Sequence, residues 1–152
     1  MTGAISRISI QNNEGIKLSD TWSEGPKTYL GLMISKFPNL FLITGPQSPG
    51  VKSQMILSIE QHVNMITRII ENMKEKHANQ VSVSRLAQDS WVNHVKEVAD
   101  STLYPLANSW YNGDNIPGKP RMFMPYVGGV DKYHQTCEQI IQNGFDGFNF
   151  TN

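Results

Sequence analysis

The stretch TGPQSPGVKSQMILSIEQHV, residues 44–63, decides how the rest of the chain is organised. It follows a short apolar run at residues 40–43, which predicts a strand buried on both faces. The glycines and prolines of residues 45–50 then exclude regular structure. After this loop, apolar residues recur alternately three and four positions apart and predict an amphipathic helix: Ile56, Ile59, Val63, Ile66, Ile70 and Met73. A strand, a loop and a helix start in this order often form a ligand site, because the first amides of a helix face outward unpaired.

The sequence upstream of this junction predicts a β-hairpin. Polar and apolar residues alternate in residues 4–10, the turn falls at residues 12–15, and the chain returns through Ile16 and Leu18. The first helix is expected to run from near Val51 or Ser53 to about Lys76. A polar stretch then separates it from a second helix.

The spacing of apolar residues also predicts a second helix, a short last helix and a final strand. The apolar positions of the second helix are Leu86, Ala87, Trp91, Val95 and Val98. Trp91 is expected to be a buried anchor, and Pro105 closes the segment. A short last helix ends in a left-handed cap at residues 143–144, and Phe148 and Phe150 alternate as a final strand. We therefore predict a mixed α/β chain: a hairpin, one buried strand, two long helices, a long loop and a short terminal helix.

The bulk composition excludes several classes of function. The 152 residues carry thirteen basic and thirteen acidic side chains, so the formal charge of zero gives no electrostatic case for nucleic acid or an anionic membrane. No apolar run approaches the roughly 20 residues that span a bilayer. One cysteine, Cys137, cannot form an internal disulfide and fits a reducing compartment. With no signal-like N-terminus, we expect a cytoplasmic protein.

No stretch of the sequence carries a complete catalytic or metal-binding motif. The four histidines lack ligand spacing with a cysteine or with each other, so no metal site is predicted. GPQSPG at residues 45–50 is not a nucleophile elbow, because proline follows its serine. No G-x-G-x-x-G follows a predicted strand, so the chain has no dinucleotide-binding fingerprint of its own.

Two features remain, and each has two interpretations. The loop–helix junction is either a ligand site or a plain βα connection with a sharp turn. Residues 108–125 contain adjacent aromatics, Trp110 and Tyr111, in a long loop. Such a loop is often functional, but it can also be a surface crossing with its aromatics in the core.

These features lie within a set of motifs that runs in order through nearly the whole chain. The motifs are FPNLFLITGPQSP at 37–49, SIEQHV at 58–63, WVNHV at 91–95, NSWYNGDNIPGKPR at 108–121, FMPYVGG at 123–129 and GFDGF at 144–148. Together they resemble the C-terminal part of flavin-dependent Baeyer–Villiger monooxygenases of the phenylacetone and cyclohexanone monooxygenase group. The resemblance implies FAD and NADPH as cofactors and a small ketone as substrate, which gains one oxygen atom to become an ester or lactone.

The resemblance also implies roles for particular residues. Met55 matches a methionine that packs at the flavin and lines the active site, and Trp110 matches a tryptophan that contacts NADP(H). Gly50, Val51 and Lys52 match a bulge that borders the substrate pocket, although a lysine departs from its usual apolar character. The remaining cofactor-proximal residues are the junction positions Gly45, Pro46, Gln47 and Ser48.

The family pattern predicts that this chain holds only part of the site. Both glycine fingerprints and the active-site arginine lie upstream in relatives, so no catalytic residue is assigned, and we expect the isolated chain to bind no cofactor and to be inactive. Residues 1–50 would be the tail of an FAD-binding domain, and residues 51–152 a helical C-terminal region. The partner would be an N-terminal FAD/NADP-binding segment or chain. The alternative is a non-enzymatic helical binding module that forms homo-oligomers through exposed strand edges.

Overall fold

The computed structural model describes residues 2, 5–50, 53–114 and 120–152. In chain order its helices and strands are α1 Leu18–Thr21, β1 Met33–Ile34, β2 Phe37–Phe41, α2 Met55–Glu75, β3 Gln80–Val83, α3 Arg85–Asp100, α4 Val130–Gln142 and β4 Phe148–Thr151. Three 3₁₀ turns accompany them, Ile5–Arg7, Tyr104–Leu106 and Trp110–Asn112. The predicted mixed α/β class, with its two long helices and shorter terminal helix, is confirmed.

Two small antiparallel sheets hold the strands. One pairs β1 with β2, and the other pairs β3 with β4, so that Val83 lies opposite Phe148 and Val81 opposite Phe150. The strand expected at Phe148 and Phe150 is therefore confirmed. Its partner β3 lies in the stretch that we predicted to be only a polar separator, and it went unnoticed because four residues with two polar side chains give little signal.

The predicted hairpin at residues 4–18 is reduced to one turn. A single antiparallel bridge joins Gln11 to Lys17, and the side-chain oxygen of Asn12 closes the turn by accepting from the amides of Glu14 and Ile16. The chain enters α1 directly after the bridge, so the expected second strand does not form.

The strand predicted to be buried on both faces is also different. Strand β2 is only partly buried towards its end, and Ile43 is half exposed, because a two-stranded sheet leaves one side uncovered. The fully buried run is instead the preceding turn and strand, formed by Leu30, Leu32, Met33 and Ile34.

The main core lies between this buried run and helices α2, α3 and α4. Its members include Tyr29, Met65, Ile69, Trp91, Val95, Tyr126, Tyr133 and Phe148. Trp91 is the buried anchor that we predicted, and its indole Nε1 donates to the carbonyl of Gln47 at 3.2 Å. The core takes residues from both sides of position 50, and the division of the chain at that point stays a prediction.

Helix α2 confirms the predicted helix but not the side that it buries. Its buried residues are Ser58, His62, Met65 and Ile69, spaced four, three and four apart. The apolar stripe that we expected to face the core lies roughly a quarter turn away around the helix, and most of it is exposed. In α3, Leu86 is likewise exposed rather than buried.

Candidate functional site

The junction loop of residues 45–50 is buried, and its backbone amides are paired inside the chain. The N–H groups of Gly45 and Gln47 donate to the carbonyls of Gly31 and Met124, and that of Gly50 donates to Tyr126. Ser48 N–H closes a turn onto the carbonyl of Gly45. These loop amides are therefore not free to bind a ligand, because two other segments enclose the loop. The outward amides that we expected are those at the start of α2, and that expectation stays a prediction.

Gln47 locks the loop in place through its side chain. Its Oε1 accepts from both the amide and the hydroxyl of Thr28, at 2.9 and 3.0 Å, and its Nε2 donates to the carbonyl of Pro26 at 2.8 Å. The hydroxyl of Thr28 also donates to the carbonyl of Pro46 at 2.6 Å. The loop is a rigid wall rather than an open cradle.

The open part of the junction is the start of α2. Within the described residues, the N-cap Gln54 makes no side-chain capping hydrogen bond, and the first turn carries no acidic residue. Met55 stands at this start and is 50% exposed. Val51 and Lys52 lie outside the described residues, so their expected place at a substrate pocket stays a prediction.

Trp110 is presented on a short, well-anchored 3₁₀ turn. The indole is 47% exposed, and its centre lies 4.0 Å from that of the Tyr111 ring. Beneath it, the buried Asn112 donates to the carbonyls of Tyr104 and Ala107, at 3.3 and 2.6 Å. The interpretation that placed Trp110 in the core is therefore wrong.

Arg121 holds the same segment from the other side. Its guanidinium donates to the carbonyls of Pro105 and Ala107, at 2.5 and 3.1 Å, and pairs with the carboxylate of Asp114 at 3.2 Å. The segment is thus fixed by hydrogen bonds at both ends, while the face of Trp110 stays accessible.

Met124 connects the two predicted features. Its N–H donates to the carbonyl of Tyr111 at 2.9 Å, and its carbonyl accepts from the N–H of Gln47 at 2.6 Å. A cavity of about 340 Å³ lies behind them, with Gln47, Val92, Asn112 and Phe123 on its walls. The structure therefore brings the junction loop and the Trp110 segment into one unit.

A buried polar network, which the sequence did not predict, supports the loop from beneath. His62 has no exposed surface; its Nδ1 accepts from the N–H of Thr44 at 2.9 Å, and its Nε2 lies 3.0 Å from the hydroxyl of Tyr133. That hydroxyl donates to the carbonyl of Leu30 at 2.7 Å. Burial lowers the pKa of His62 to about 4. The 4-3-4 spacing of Ser58, His62, Met65 and Ile69 was the available signal for a buried histidine.

Burial also raises the pKa of two neighbouring groups, Tyr133 and Cys137. It raises the pKa of the Tyr133 hydroxyl and raises that of the Cys137 thiol to about 12. A thiol with so high a pKa is a poor nucleophile, because the thiolate is the reactive form.

The described residues contain neither a candidate metal site nor a candidate membrane-spanning helix. No group of three or more His, Cys, Asp or Glu side chains lies close enough to hold a metal ion. No helix in the described ranges is both long and apolar enough to span a bilayer.

Comparison with known proteins shows which family the chain is related to. The chain is 37% identical over 143 residues, 94% of its length, to a Baeyer–Villiger monooxygenase from Pseudooceanicola batsensis. It is 34% identical over 148 residues, 97% of its length, to an acetone monooxygenase (methyl acetate-forming) from Gordonia sp. strain TY-5. The chain is homologous to the Baeyer–Villiger monooxygenases. The resemblance seen in the sequence motifs is thereby confirmed.

The homology with Baeyer–Villiger monooxygenases extends to the fold. The structure of an oxidized steroid monooxygenase bound to NADP matches 100% of the chain with a TM-score of 0.91 and 36% identity. The chain spans only 26–28% of the length of these three proteins, as expected for a part of such an enzyme. No family model matches the sequence. The roles expected for Met55, Trp110 and residues 45–52 stay predictions.

Proposed function

We propose that this chain is the C-terminal portion of an FAD- and NADPH-dependent Baeyer–Villiger-type monooxygenase that converts ketones to esters or lactones. In this proposal, activity requires an N-terminal FAD- and NADP-binding segment, on the same or a separate chain. The observation that carries the proposal is an exposed apolar surface on α2, which we call the open α2 face. It consists of Met55, Ile56, Ile59, Val63 and Ile70.

The open α2 face has the character of an interface. Ile56 is 62% exposed, Val63 44% and Ile70 39%, although their spacing is that of a buried helix stripe. Exposed apolar patches of this kind mark surfaces that bind a partner. Because the relatives are more than three times as long as this chain, we assign the face to the N-terminal portion of the enzyme.

The described residues fit one side of an FAD site. At the start of α2, the half-exposed thioether of Met55 offers an apolar contact for a flavin ring, and the uncapped helix end favours an electron-rich group. The amides of residues 45, 47, 48 and 50 are all paired within the chain and cannot hold a diphosphate. Gly45, Pro46, Gln47 and Ser48 would therefore support the site as a rigid wall, and phosphate binding is assigned to the N-terminal portion.

Trp110 fits a stacking role towards NADP(H). Its indole is accessible, and the turn that carries it is anchored by Asn112 and Arg121, so a flat ring could stack there without reordering the segment. When bound, FAD would supply the oxygen chemistry. The residues of this chain would orient the cofactors and the ketone and keep water away.

Reconstitution tests the proposal. The N-terminal part of the Pseudooceanicola batsensis relative, cut before the region homologous to this chain, is purified with FAD and mixed with the chain. We expect a stable complex and NADPH oxidation that increases when a ketone is added. The matched control replaces the chain with its Ile56→Gln, Val63→Gln variant, which removes apolar surface from the open α2 face.

The outcomes of this experiment separate complex formation from catalysis. A complex without ketone-dependent oxidation above the N-terminal part alone would contradict the enzymatic role. No complex at all would contradict the assignment of the open α2 face to that partner.

A second candidate function rests on the same surface. A helical binding or oligomerisation module could cover the open α2 face, or its free strand edges, with a second copy of the chain. Light scattering over a range of concentrations distinguishes the two. Concentration-dependent dimers that persist when the N-terminal part is added would favour this alternative, whereas a monomer at every concentration would exclude it.

A further inference from the structure

We propose that His62 and Tyr133 are positioning residues that hold the backbone at Thr44, directly before the junction loop, in its strained conformation. The proposal deepens the proposed function, because it names the residues that would fix the cofactor-proximal wall. It starts from the path Thr44 N–H to His62, His62 to Tyr133, and Tyr133 to the carbonyl of Leu30.

The hydrogen bonds along this path have one consistent direction. Because Nδ1 of His62 accepts from the amide of Thr44, it carries no proton in the neutral ring. The ring proton is therefore on Nε2, and this N–H donates to the hydroxyl oxygen of Tyr133. The hydroxyl of Tyr133 in turn donates to the carbonyl of Leu30. Each donor along the path thus has one acceptor, and the path fixes the tautomer of His62.

The two ends of the path are backbone positions that need such support. Thr44 has a φ of +52° and Leu30 a φ of +59°, and a branched side chain at positive φ is an outlier in proteins. Directly after them, Gly31 and Gly45 are hydrogen-bonded to each other at 3.2 Å. A Cβ atom on Gly45 would lie 2.6 Å from the carbonyl oxygen of Gly31, so the two strained turns are in close contact. The path clamps them from one side.

Strain of this kind persists only where the surroundings enforce it. The three elements that the path joins are α2, α4 and the turn at residues 28–31, and each is part of the main core. Without the path, the amide of Thr44 would be left without its acceptor, and the loop could relax towards negative φ.

Amide hydrogen exchange of the ¹⁵N-labelled chain, measured by NMR, tests the proposal. We expect His62→Phe to speed exchange at Thr44 by about tenfold or more relative to Val81, which reports global opening. His62→Asn places an amide oxygen near the position of Nδ1 and should restore most of the protection. Tyr133→Phe leaves the ring in place and should also speed exchange at Thr44. It keeps the test available if His62→Phe does not fold.

Tyr29→Phe is the matched control for Tyr133→Phe. Each removes one buried phenol hydroxyl that donates to a backbone carbonyl, but the acceptor of Tyr29 is Asp146, on another part of the chain. This control should leave the relative exchange of Thr44 unchanged. The proposal would be overturned if Tyr133→Phe and Tyr29→Phe speed exchange at Thr44 equally. It would also be overturned if exchange at Thr44 is unchanged in both Tyr133→Phe and His62→Phe.

The tautomer gives a second readout that does not depend on stability. A long-range ¹H–¹⁵N spectrum should show the proton of His62 on Nε2 alone at neutral pH, and a proton on Nδ1 would contradict the path. Both measurements use the chain without a cofactor. A failed reconstitution would therefore count against the proposed function and leave this proposal to be decided by its own data.

Discussion

At the scale of single residues, His62 couples the fold to pH. Its pKa is about 4 in the folded chain against an ordinary 6.5, because burial disfavours the charged ring. The unfolded chain therefore binds a proton first as the pH falls below 6.5, and the folded chain binds it only near pH 4. Stability from this group is complete above pH 6.5 and is lost as the pH falls from 6.5 towards 4.

This difference in protonation predicts acid lability. Between about pH 7.5 and about pH 4, His62 should cost the chain about 3 kcal/mol of unfolding free energy. His62→Gln cannot titrate, so its stability should fall less than that of the native sequence over the same range, although it is lower at neutral pH. Urea denaturation at both pH values measures the difference. Equal losses in the two proteins would contradict a neutral, buried His62.

Whereas His62 is a polar side chain that is fully buried, Trp110 is a large aromatic side chain that is half exposed on an anchored turn. Trp110→Ala should lower the unfolding free energy by about 1–2 kcal/mol, since only about half of the side chain is buried. In the reconstituted enzyme it should raise the KM for NADPH. Trp91→Ala is the comparison, because loss of that buried ring should cost roughly 3–5 kcal/mol. Thermal unfolding together with steady-state kinetics measures both effects, and a large stability loss at Trp110 with unchanged kinetics would contradict its assigned role.

At the scale of elements, α2 has two faces with different surroundings. One holds the polar path through His62, and the other is the open α2 face. Ile56→Gln with Val63→Gln should leave the stability of the isolated chain nearly unchanged but weaken binding to the N-terminal part by about tenfold or more. Leu103→Gln is the control, because Leu103 is also an exposed apolar residue, at 80%, but lies outside α2. Isothermal titration measures both, and equal weakening by the control would contradict a specific interface.

The start of α3 offers a test of local structure. The hydroxyl of Ser84 accepts from the amide of Ala87 at 3.1 Å and caps the helix. Ser84→Ala should cost about 1 kcal/mol of unfolding free energy. Ser90→Ala, at an exposed position inside the same helix, should cost nothing. Chemical denaturation separates the two, and equal effects would show that the cap does not stabilise the helix.

The sequence predicted those elements whose signals are local. The 3.6-residue period of α2, the anchor Trp91 and the glycine that follows α4 are each visible within a few positions. The side of α2 that faces the core was not predicted, because the polar residues Ser58 and His62 lie on the buried side. Only Ile66 and Met73 of the predicted apolar stripe pack against the core in the described chain. The hydrogen bond between His62 and Tyr133 joins residues 71 positions apart, which no local pattern encodes.

The same limit applies to the candidate site. The motifs around residues 45–55 and Trp110 predicted a cofactor-proximal region, and that assignment stays a prediction. The homology to Baeyer–Villiger monooxygenases confirms the family resemblance of the chain. The motifs did not show that the amides of the junction loop are paired. Their acceptors on Gly31, Met124 and Tyr126 come from both sides of the loop in sequence.

At the scale of the whole molecule, the chain has a closed core but an exposed surface at the residues with proposed roles. The core of α2, α3 and α4 is continuous, whereas the open α2 face, the start of α2 and the indole of Trp110 remain accessible. The chain spans little more than a quarter of the enzymes that it matches. These facts together support the central claim that the chain forms one side of a flavin- and NADPH-dependent site.

Formation of an ester from a ketone tests this claim most directly. The chain, the N-terminal part of the relative, FAD, NADPH and a small ketone are incubated under ¹⁸O₂, and the products are analysed by mass spectrometry. We predict an ester or lactone that contains one ¹⁸O atom, formed only when both protein parts are present and reduced by the Ile56→Gln, Val63→Gln variant. NADPH consumption by a stable complex with no labelled ester from any of a panel of small ketones would contradict it.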